Sequence, residues 1–408
     1  MTTSADLTVF ANPNPVRGVP PLQFPQRRVA IVHDWLYTYA GAERVLEQIL
    51  KLHPNADLFS LFDFLPDQER GFLQGHSVTT SLLQGFPGAK KHHRAWLPFF
   101  PLAIESFDFS SYDLIISSSY SVAKGILSRP GQQHICYCHS PMRYAWDLQE
   151  QYLRESGISK GFKGLIARAI LHYLRMWDVS SAPRVDTFIA NSRFVGQRIK
   201  RCYGRSASVI YPPVNTEAFK LNEGERSDYY VTASRMVPYK KMDLIVEAFA
   251  KMPSKRLVVI GDGPGMNAIR KIATPNIKLL GFQPQKVLIN HLQRAKAFIF
   301  AAEEDFGIAP VEAQACGTPV LAFGKGGALE TIRGLNNSHP TGHFFNEQSV
   351  ESLTKGLHTL ESNLHKIFAY ECRENAMRFS GEAFRESFSL EIEMQTKLFS
   401  KLNGAESF

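Results

Sequence analysis

The order of short β-rich and helical segments predicts an α/β protein built from two Rossmann-like, doubly wound domains. One alternating series of strands and helices runs over residues 27–214, and a second runs over 229–330. Strands that alternate with helices form parallel sheets covered on both faces. Ligands of such domains bind at the carboxyl ends of the strands, so we expect the binding site in a cleft between two facing domains.

Each predicted element follows from hydrophobic pattern and flanking turn residues. The first series begins with a buried strand at 27–35 and an amphipathic helix at 42–52, and its other strands are predicted at 56–62, 76–80, 113–119, 134–140 and 185–192. In the second series we predict strands at 229–235, 256–263, 277–281, 297–303 and 319–324, with helices at 240–251, 284–295 and 309–316. From 347 to 402 the pattern is helical with little β signal.

Composition sets the domain boundaries. Residues 1–26 hold five prolines without periodicity and are predicted to be a disordered leader. The first domain extends over 27–214, polar residues 215–228 are predicted to be a linker, and the second domain extends over 229–380. Residues 381–408 are predicted to form a helix that crosses back to the first domain.

Composition also excludes several classes of protein. With 44% hydrophobic and 21% charged residues the chain is globular, and no apolar run approaches the ~20 residues of a membrane span. The N-terminus lacks a basic segment followed by an apolar one, so we expect a cytosolic protein. Reduced, mostly structural thiols are expected for the five cysteines, Cys136, Cys138, Cys202, Cys316 and Cys372.

The net charge of +8 favours an anionic partner. Nucleic acid is not expected, because the sequence has no zinc-finger pattern, no aromatic RNA-binding motif and no long basic block. Phosphorylated small molecules and an anionic membrane surface fit the modest, dispersed excess of basic residues better.

Two glutamates with seven residues between them mark the densest chemistry of the chain. Glu304 ends a predicted strand, and Glu312 is expected in the first turn of the next helix. The helix start near Ile308 has no side-chain cap, so its amides are suited to bind hydroxyls or anions. Taken alone, this spacing is a weak signal, and solvated acids that favour the helix dipole would be the better explanation of both glutamates. Their combination with Phe306-Gly307 and with the turn at 317–320 favours a binding site for a polyhydroxylated ligand.

Basic residues and glycines follow other predicted strands. Arg235 and Lys240 stand at a strand end, where a guanidinium and an ammonium suit a diphosphate, although a plain surface pair is the alternative. Gly326 and Gly327 precede a helix, where they either let the backbone approach a ligand or form a simple tight turn. The segment 261–264 is predicted to be a loop near a nucleotide.

The ordered set of these motifs resembles the family-4 retaining glycosyltransferases of the GT-B fold. The resemblance covers the chain from about Arg27 onward, and its motifs are Ser234-Arg235, Lys240, Gly261-Asp262-Gly263-Pro264, Glu304-Asp305-Phe306-Gly307, Glu312-Ala313, Gly317-Thr318-Pro319-Val320 and Gly326-Gly327 with Glu330. In the first domain, Val32-His33-Asp34-Trp35, residues 41–46 and residues 138–147 are similar to the mannosyltransferase branch used in bacterial polysaccharide assembly.

The resemblance implies a role for each matching residue. Arg235 and Lys240 would neutralise the departing diphosphate, Glu304 would hold sugar hydroxyls, and His139 would sit near the donor sugar across the cleft. A half-buried structural histidine is the alternative for His139. The residues implied to bind the donor are Gly41 in the first domain and Asp305, Phe306, Gly307, Ile308, Glu312, Gly326 and Gly327 in the second, with Glu312 on the nucleotide ribose.

The resemblance further implies the reaction. We expect a retaining transfer of a hexose, mannose from GDP-mannose, to a lipid-linked oligosaccharide for exopolysaccharide or O-antigen assembly. Because no Asp-x-Asp motif stands where a divalent ion would be needed, we expect metal independence and no cofactor. A UDP-sugar donor, a GT-B sugar-nucleotide epimerase and a non-catalytic sugar-binding protein are the alternatives.

Two segments of the first domain combine basic and apolar residues. Residues 89–104 and 160–178 interleave lysines and arginines with aromatic and aliphatic positions. This composition is typical of a surface that meets anionic lipid headgroups, and equally of helices packed on the sheet with their cations in water. We therefore expect a peripheral contact with the inner face of the plasma membrane as one option.

Overall fold

The computed structural model describes residues 27–222 and 224–402, and these form two compact units. The first unit comprises the described residues up to Pro212 together with those from Phe384 onward, and the second comprises Pro213–Ala383. The predicted leader at 1–26 and the last six residues of the predicted terminal helix lie outside the described residues.

The first unit is built on a seven-stranded parallel sheet. Its strands are β1 (Val29–His33), β2 (Asp57–Ser60), β3 (Val78–Thr80), β4 (Leu114–Ser119), β5 (Gln133–Cys138), β6 (Thr187–Ala190) and β7 (Ala207–Val209). They lie in the order β3-β2-β1-β4-β5-β6-β7. The direction of winding reverses between β1 and β4, and this switch point is where doubly wound sheets bind ligands.

The second unit repeats this plan with six parallel strands. They are β8 (Tyr230–Ala233), β9 (Leu257–Ile260), β10 (Ile277–Gly281), β11 (Ala297–Phe300), β12 (Val320–Phe323) and β13 (Gly342–Phe345), in the order β10-β9-β8-β11-β12-β13. The switch point therefore lies between β8 and β11. The predicted α/β class with two doubly wound, Rossmann-like halves is confirmed.

Helices connect the strands in both units. In the first unit they are α1 (Gly41–Leu52), α2 (Ala89–His92), α3 (Phe100–Glu105), α4 (Gln149–Glu155), α5 (Gly161–Ser181) and α6 (Arg193–Tyr203). In the second they are α7 (Met242–Ala250), α8 (Met266–Ile272), α9 (Gln285–Arg294), α10 (Ile308–Ala315), α11 (Ala328–Thr331), α12 (Val350–Asn363) and α13 (Ala369–Met377). The last helix, α14 (Gly381–Leu402), starts in the second unit and continues as part of the first.

Both faces of the first sheet are buried, as the alternation of β1 illustrates. Ala30 and Val32 join one apolar cluster, whereas Ile31 joins the cluster on the opposite face. The second cluster includes Phe384 and Phe388 of α14, which contact the ring of Tyr137. Helix α14 therefore covers a face of the first sheet, and its apolar residues are core residues of that unit.

Several features differ from the sequence prediction. Strands β7 and β13 and helix α8 were not predicted, because each is short and lacks a strong period. The polar segment predicted as a linker, 215–228, packs on the second unit at its described residues: Arg226 donates to Thr318 Oγ1 at 2.8 Å and to the Gly317 carbonyl at 2.6 Å. All five cysteines are free thiols, four of them buried, as expected.

Candidate functional site

The switch point of the second sheet brings together the loops that follow β8, β9, β11 and β12. Between the β8 and β9 loops, the amide of Met236 donates to Asp262 O at 3.0 Å, and the amide of Gly265 donates to Met236 O at 2.9 Å. Between the β11 and β12 loops, the amide of Gly327 donates to Glu304 O at 2.8 Å. The motifs predicted after these strands therefore lie on interlocked backbone segments.

Glycines permit this close packing. A Cβ at Gly261, whose φ is +124°, would lie 1.9 Å from the carbonyl oxygen of Ser234. The loop at 261–264, predicted to lie near a nucleotide, thus supports the segment that carries Arg235. A side chain at Gly326 would come within 2.4 Å of Glu304 O, and one at Gly327 within 2.4 Å of Phe306 Cα. Packing against the β11 loop is sufficient to require both of the latter glycines.

Charged side chains stand at this edge of the sheet. Lys240, in the single helical turn Pro238–Lys240, forms an ion pair with Glu304 in the loop after β11. Both side chains are largely buried. Arg235 is exposed, and its guanidinium has no hydrogen bond or ion pair within residues 27–222 and 224–402. The predicted Arg235, Lys240 and Glu304 thus share one edge, and Lys240 is not part of a simple surface pair.

Helix α10 begins earlier than the sequence indicated. It starts at Ile308 after Gly307, whose φ of +88° suits glycine, and no side chain caps it. Glu312 is therefore in the second turn, so the prediction of a first-turn position was wrong. It is also only 7% exposed, which excludes the reading of Glu312 as a solvated acid. Asp305 and Phe306 complete the loop between β11 and this uncapped helix start, and Phe306 is buried.

The switch point of the first sheet is polar but internally satisfied. Asp34, which follows β1 and is fully buried, accepts the backbone N–H groups of Tyr120, Ser121, Val122 and Ala123 at 2.6–2.9 Å. This carboxylate pins the turn after β4 to the end of β1. Its role is structural, since all of its contacts hold backbone in place.

His139 follows β5 at the same edge. Its Nε2 lies 2.9 Å from Ser118 Oγ, and Ser118 Oγ lies 3.1 Å from His33 Nδ1. Desolvation, helped by the neighbouring His33, lowers the pKa of His139 to about 3, so its imidazole is neutral near pH 7. Gly41 is the first residue of α1, and Glu43 in the same turn lies near His33.

His33, Asp34, Glu43 and Ser118 were not predicted as site residues. His33 and Ser118 are polar residues near the carboxyl ends of β1 and β4, Asp34 directly follows β1, and Glu43 is in the first turn of α1. A polar residue in such a position is normally assigned to a solvated loop, and only the burial of these four shows otherwise.

Neither a metal-binding cluster nor a membrane-spanning helix is found among the described residues. Within residues 27–222 and 224–402, no group of three or more His, Cys, Asp or Glu side chains is placed to hold a metal ion. Over the same residues, no helix combines the length and the apolar character that crossing a membrane requires.

Two protein-family models match adjacent parts of the chain. The model described as Glycosyltransferase Family 4 matches residues 39–218, and the model described as Glycosyl transferases group 1 matches residues 214–378. Together they extend over most of both units, from residue 39 to residue 378.

Curated relatives match the chain at modest identity. It is 29% identical over 178 residues to the GDP-mannose-dependent monoacylated alpha-(1-6)-phosphatidylinositol monomannoside mannosyltransferase of Corynebacterium glutamicum, covering 36% of this chain and 47% of that protein. It is 26% identical over 236 residues to the exopolysaccharide phosphotransferase SCO2592 of Streptomyces coelicolor, covering 54% of this chain and 24% of that protein. The chain thus spans less than half the length of either relative.

Among solved structures, HepE of Anabaena in complex with UDP superimposes with a TM-score of 0.66. The superposition covers 90% of this chain and 100% of HepE at 17% sequence identity. At this identity the likeness is one of fold.

Proposed function

Because the chain belongs to the family-4 glycosyltransferases and has their GT-B fold, we propose that it transfers mannose from GDP-mannose to a lipid-linked oligosaccharide in exopolysaccharide or O-antigen assembly. The observation that carries this proposal is the presence of Arg235, Lys240 and Glu304 at one switch point. The printed names of the two curated relatives support a GDP-mannose donor and a polysaccharide product.

The charges at this edge suit the chemistry of a leaving diphosphate. As the bond between the sugar C1 and the phosphate oxygen breaks, negative charge develops on the phosphate and positive charge on the sugar. Fixed cations aimed at the phosphate stabilise that state. Arg235 is available for this role because it is exposed and unpaired among the described residues. These cations and the free amides of α10 would do the work of a divalent ion, so the reaction is proposed to be metal-independent.

The ion pair between Lys240 and Glu304 suggests how the donor binds. A diphosphate would compete with Glu304 for the ammonium of Lys240. Once released, the Glu304 carboxylate would accept hydrogen bonds from sugar hydroxyls, with the amides from Phe306 to Ile308 beside it. Donor binding would thus exchange one pair of charged contacts for two, and neither charge would be left unpaired.

We propose that the transfer retains the configuration at C1. The acceptor oxygen would attack C1 from the same face from which the diphosphate leaves. The new bond between C1 and the acceptor oxygen would form as the bond between C1 and the phosphate oxygen breaks. The acceptor proton would pass to an oxygen of the departing phosphate, so no protein nucleophile is required. Glu312, buried beside this site, is proposed to bind the nucleotide ribose, with Gly41, Asp305, Gly326 and Gly327 near the donor.

Nucleotide binding is the first test. A ligand that binds only the folded protein raises its stability, so we expect a thermal shift with GDP, in the presence of EDTA, and none with UDP, dTDP or ADP. A shift with UDP alone would replace the donor by a UDP-sugar. If no nucleotide shifts the transition, the transferase proposal fails.

Turnover completes the test. GDP-mannose and a lipid-linked acceptor should give an α-linked product. The one-bond carbon–proton NMR coupling at C1 of that product shows whether the configuration is retained. Sugar conversion without any acceptor would instead indicate an epimerase.

Helix α5 supports a membrane-bound acceptor. Its inner face packs through Leu171, Leu174 and Trp177, yet its outer face is also apolar. The exposed apolar residues recur at helical spacing and are Phe162, Leu165, Ile166, Tyr173, Met176 and Val179. The helix has one acidic residue, Asp178, and that residue is buried. We propose that this outer face and the exposed Lys160 and Lys163 rest on an anionic membrane from the cytosolic side.

Flotation with lipid vesicles tests this contact. The protein should float with phosphatidylcholine vesicles that contain phosphatidylglycerol, and Leu165→Glu together with Met176→Glu should abolish flotation. Phe282→Glu is the control, because Phe282 is also a highly exposed apolar residue and lies in the second unit. Absence of flotation both with and without phosphatidylglycerol in the vesicles would exclude the membrane contact and leave the sugar transfer proposal intact.

A further inference from the structure

A buried chain of polar side chains connects helix α1 with His139 in the first unit. Glu43 Oε1 lies 3.5 Å from His33 Nε2, which is close enough for electrostatic attraction, although this nitrogen makes no hydrogen bond to a described residue. On the other side of the ring, His33 Nδ1 lies 3.1 Å from Ser118 Oγ, which in turn lies 2.9 Å from His139 Nε2. His33 and Ser118 are fully buried and Glu43 nearly so, so water does not interrupt the sequence of contacts.

Only two proton arrangements satisfy the serine when both rings are neutral. In the first, Ser118 donates to His33 Nδ1 and accepts from the Nε2–H of His139. In the second, Ser118 donates to His139 Nε2 and accepts from the Nδ1–H of His33. The Nε2 of His33 then has no proton, and its lone pair faces the carboxylate of Glu43. Two acceptors would then face each other in a site without water, which is unfavourable. The other oxygen of Glu43 already accepts the Ala40 N–H at 3.0 Å, so the carboxylate is held in place.

We propose that Glu43, acting through His33 and Ser118, fixes His139 as the Nε2–H tautomer and so presents its Nδ1 as a bare hydrogen-bond acceptor. No described residue donates to this Nδ1. A bare nitrogen accepts from hydroxyl groups and repels phosphate oxygens. His139 is therefore set to accept a hydrogen bond from a sugar hydroxyl, and Glu43, His33 and Ser118 are positioning residues. This role rests on the proposed sugar transfer, whereas the tautomer does not.

The same sheet contains an internal reference. Ser117 Oγ lies 2.8 Å from His134 Nε2, and His134 Nδ1 lies 3.0 Å from the carbonyl oxygen of Arg184. A carbonyl oxygen only accepts, so the proton of His134 is on Nδ1. Two serine–histidine pairs from neighbouring strand positions are thus expected to hold opposite tautomers.

Nitrogen NMR of the full-length protein tests the tautomer directly. With ¹⁵N-labelled histidine at pH 8, long-range proton–nitrogen correlations distinguish the two forms, and the signals of His139 are those lost in His139→Gln. We expect Nε2–H for His139 and Nδ1–H for His134. An Nδ1–H form of His139 in the unmutated protein would overturn the proposal, whether or not sugar transfer is found.

Substitutions test the relay. In Glu43→Gln the side-chain amide is able to donate to His33 Nε2, so His139 should become a mixture of tautomers while the protein still binds GDP. Ser118→Ala should lower kcat/KM for the sugar donor by about five- to tenfold, the value of one hydrogen bond, and should leave GDP affinity unchanged because GDP has no hexose. Ser117→Ala is the matched control, since it removes the same buried hydroxyl from the pair that faces His134.

Two results would contradict the relay. One is a His139 tautomer that stays pure Nε2–H in Glu43→Gln. The other is an equal loss of kcat/KM in Ser118→Ala and Ser117→Ala, which would assign the effect to general destabilisation.

Discussion

The carboxyl edges of the two sheets each carry a lysine just after a switch-point strand, but the two lysines differ in burial and in the number of their hydrogen-bond partners. Lys124 follows β4 and is 1% exposed, and its ammonium contacts Asp178 Oδ1 at 2.9 Å, Asp178 O at 2.7 Å and Ser181 Oγ at 2.7 Å. Lys240 follows β8 and its side chain is 18% exposed; within residues 27–222 and 224–402 its ammonium hydrogen-bonds to Glu304 alone and lies over the ring of Tyr239. All three protons of the first ammonium are used internally, whereas the second keeps hydrogen-bonding capacity for a ligand.

This difference extends to the whole of each edge. The first edge holds a pinned carboxylate at Asp34 and a neutral imidazole at His139, while the second exposes Arg235. Two sheets with the same strand order therefore present a neutral hydrogen-bonding surface in one case and a cationic one in the other. Shared topology determines where a ligand binds, and the local burial of charge determines which ligand binds.

The largest expected effect concerns stability at the first edge. Lys124→Met should lower the free energy of unfolding by about 3–5 kcal/mol, because it leaves the buried Asp178 without its counter-charge. Lys240→Met should lower it by about 1 kcal/mol or less, since water partly reaches that pair. Urea denaturation of the two variants measures the contrast, and equal losses would remove the distinction between the lysines.

At the edge of the second sheet, we expect substitutions to reduce activity strongly and stability only slightly. Arg235→Ala and Lys240→Met should each lower kcat by about 10²–10³, the loss expected when one group that stabilises developing charge is removed. The melting temperature should change little. Arg270→Ala is the control, because Arg270 is an exposed arginine of the same unit whose side chain, among the described residues, hydrogen-bonds only to Asn267. A loss below tenfold in the two test variants would place the diphosphate elsewhere.

A backbone change should affect the cationic edge without altering a charge. Gly261→Ala places a Cβ against Ser234 O in a left-handed conformation and should destabilise the protein by about 1–3 kcal/mol. GDP binding should also weaken, because Arg235 follows Ser234 directly. Gly204 also has a positive φ, +66°, but open space around it, so Gly204→Ala should lower stability by about 1 kcal/mol with GDP affinity unchanged. Unaltered GDP binding in Gly261→Ala would show that this loop does not position Arg235.

The features that sequence did and did not predict have different physical origins. The strands around Ile31 and Phe298 were predicted because buried parallel strands are continuous apolar runs. The edge strand β13 was not, because Gly342 and two half-buried residues weaken its pattern. Arg235, Lys240 and Glu304 were predicted because charges at strand ends are unusual enough to be noticed.

The buried polar residues could not be found in this way. His33 and Ser118 come from strands separated by 85 positions in the chain, and their hydrogen bond exists only because β1 and β4 pair in register. The start of α10 was misplaced by a related cause. Pro310 suggested the first helical position, but Gly307 adopts a left-handed φ that starts the helix earlier, and proline is tolerated throughout the first turn.

The last expected effect is a pH dependence of stability at the edge of the first sheet. Desolvation lowers the pKa of His134 to about 4, and desolvation with the nearby His33 lowers that of His139 to about 3. A depressed histidine pKa means that the unfolded chain binds a proton first as the pH falls below about 6.5. Stability is therefore full above pH 6.5 and falls on acidification toward the folded pKa, by about 1.4 kcal/mol per pH unit for each ring.

Unfolding by urea between pH 7.5 and 5 measures this slope. Carboxyl groups of the unfolded chain also begin to titrate near the lower limit. The informative quantity is therefore the difference in the free energy of unfolding between the unmutated protein and His139→Gln. That difference should shrink by about 1.4 kcal/mol for each pH unit below 6.5, since the variant has lost one of the two rings that resist protonation. A difference that is constant with pH would mean that His139 takes up a proton in the folded state, and the first edge would then be cationic like the second.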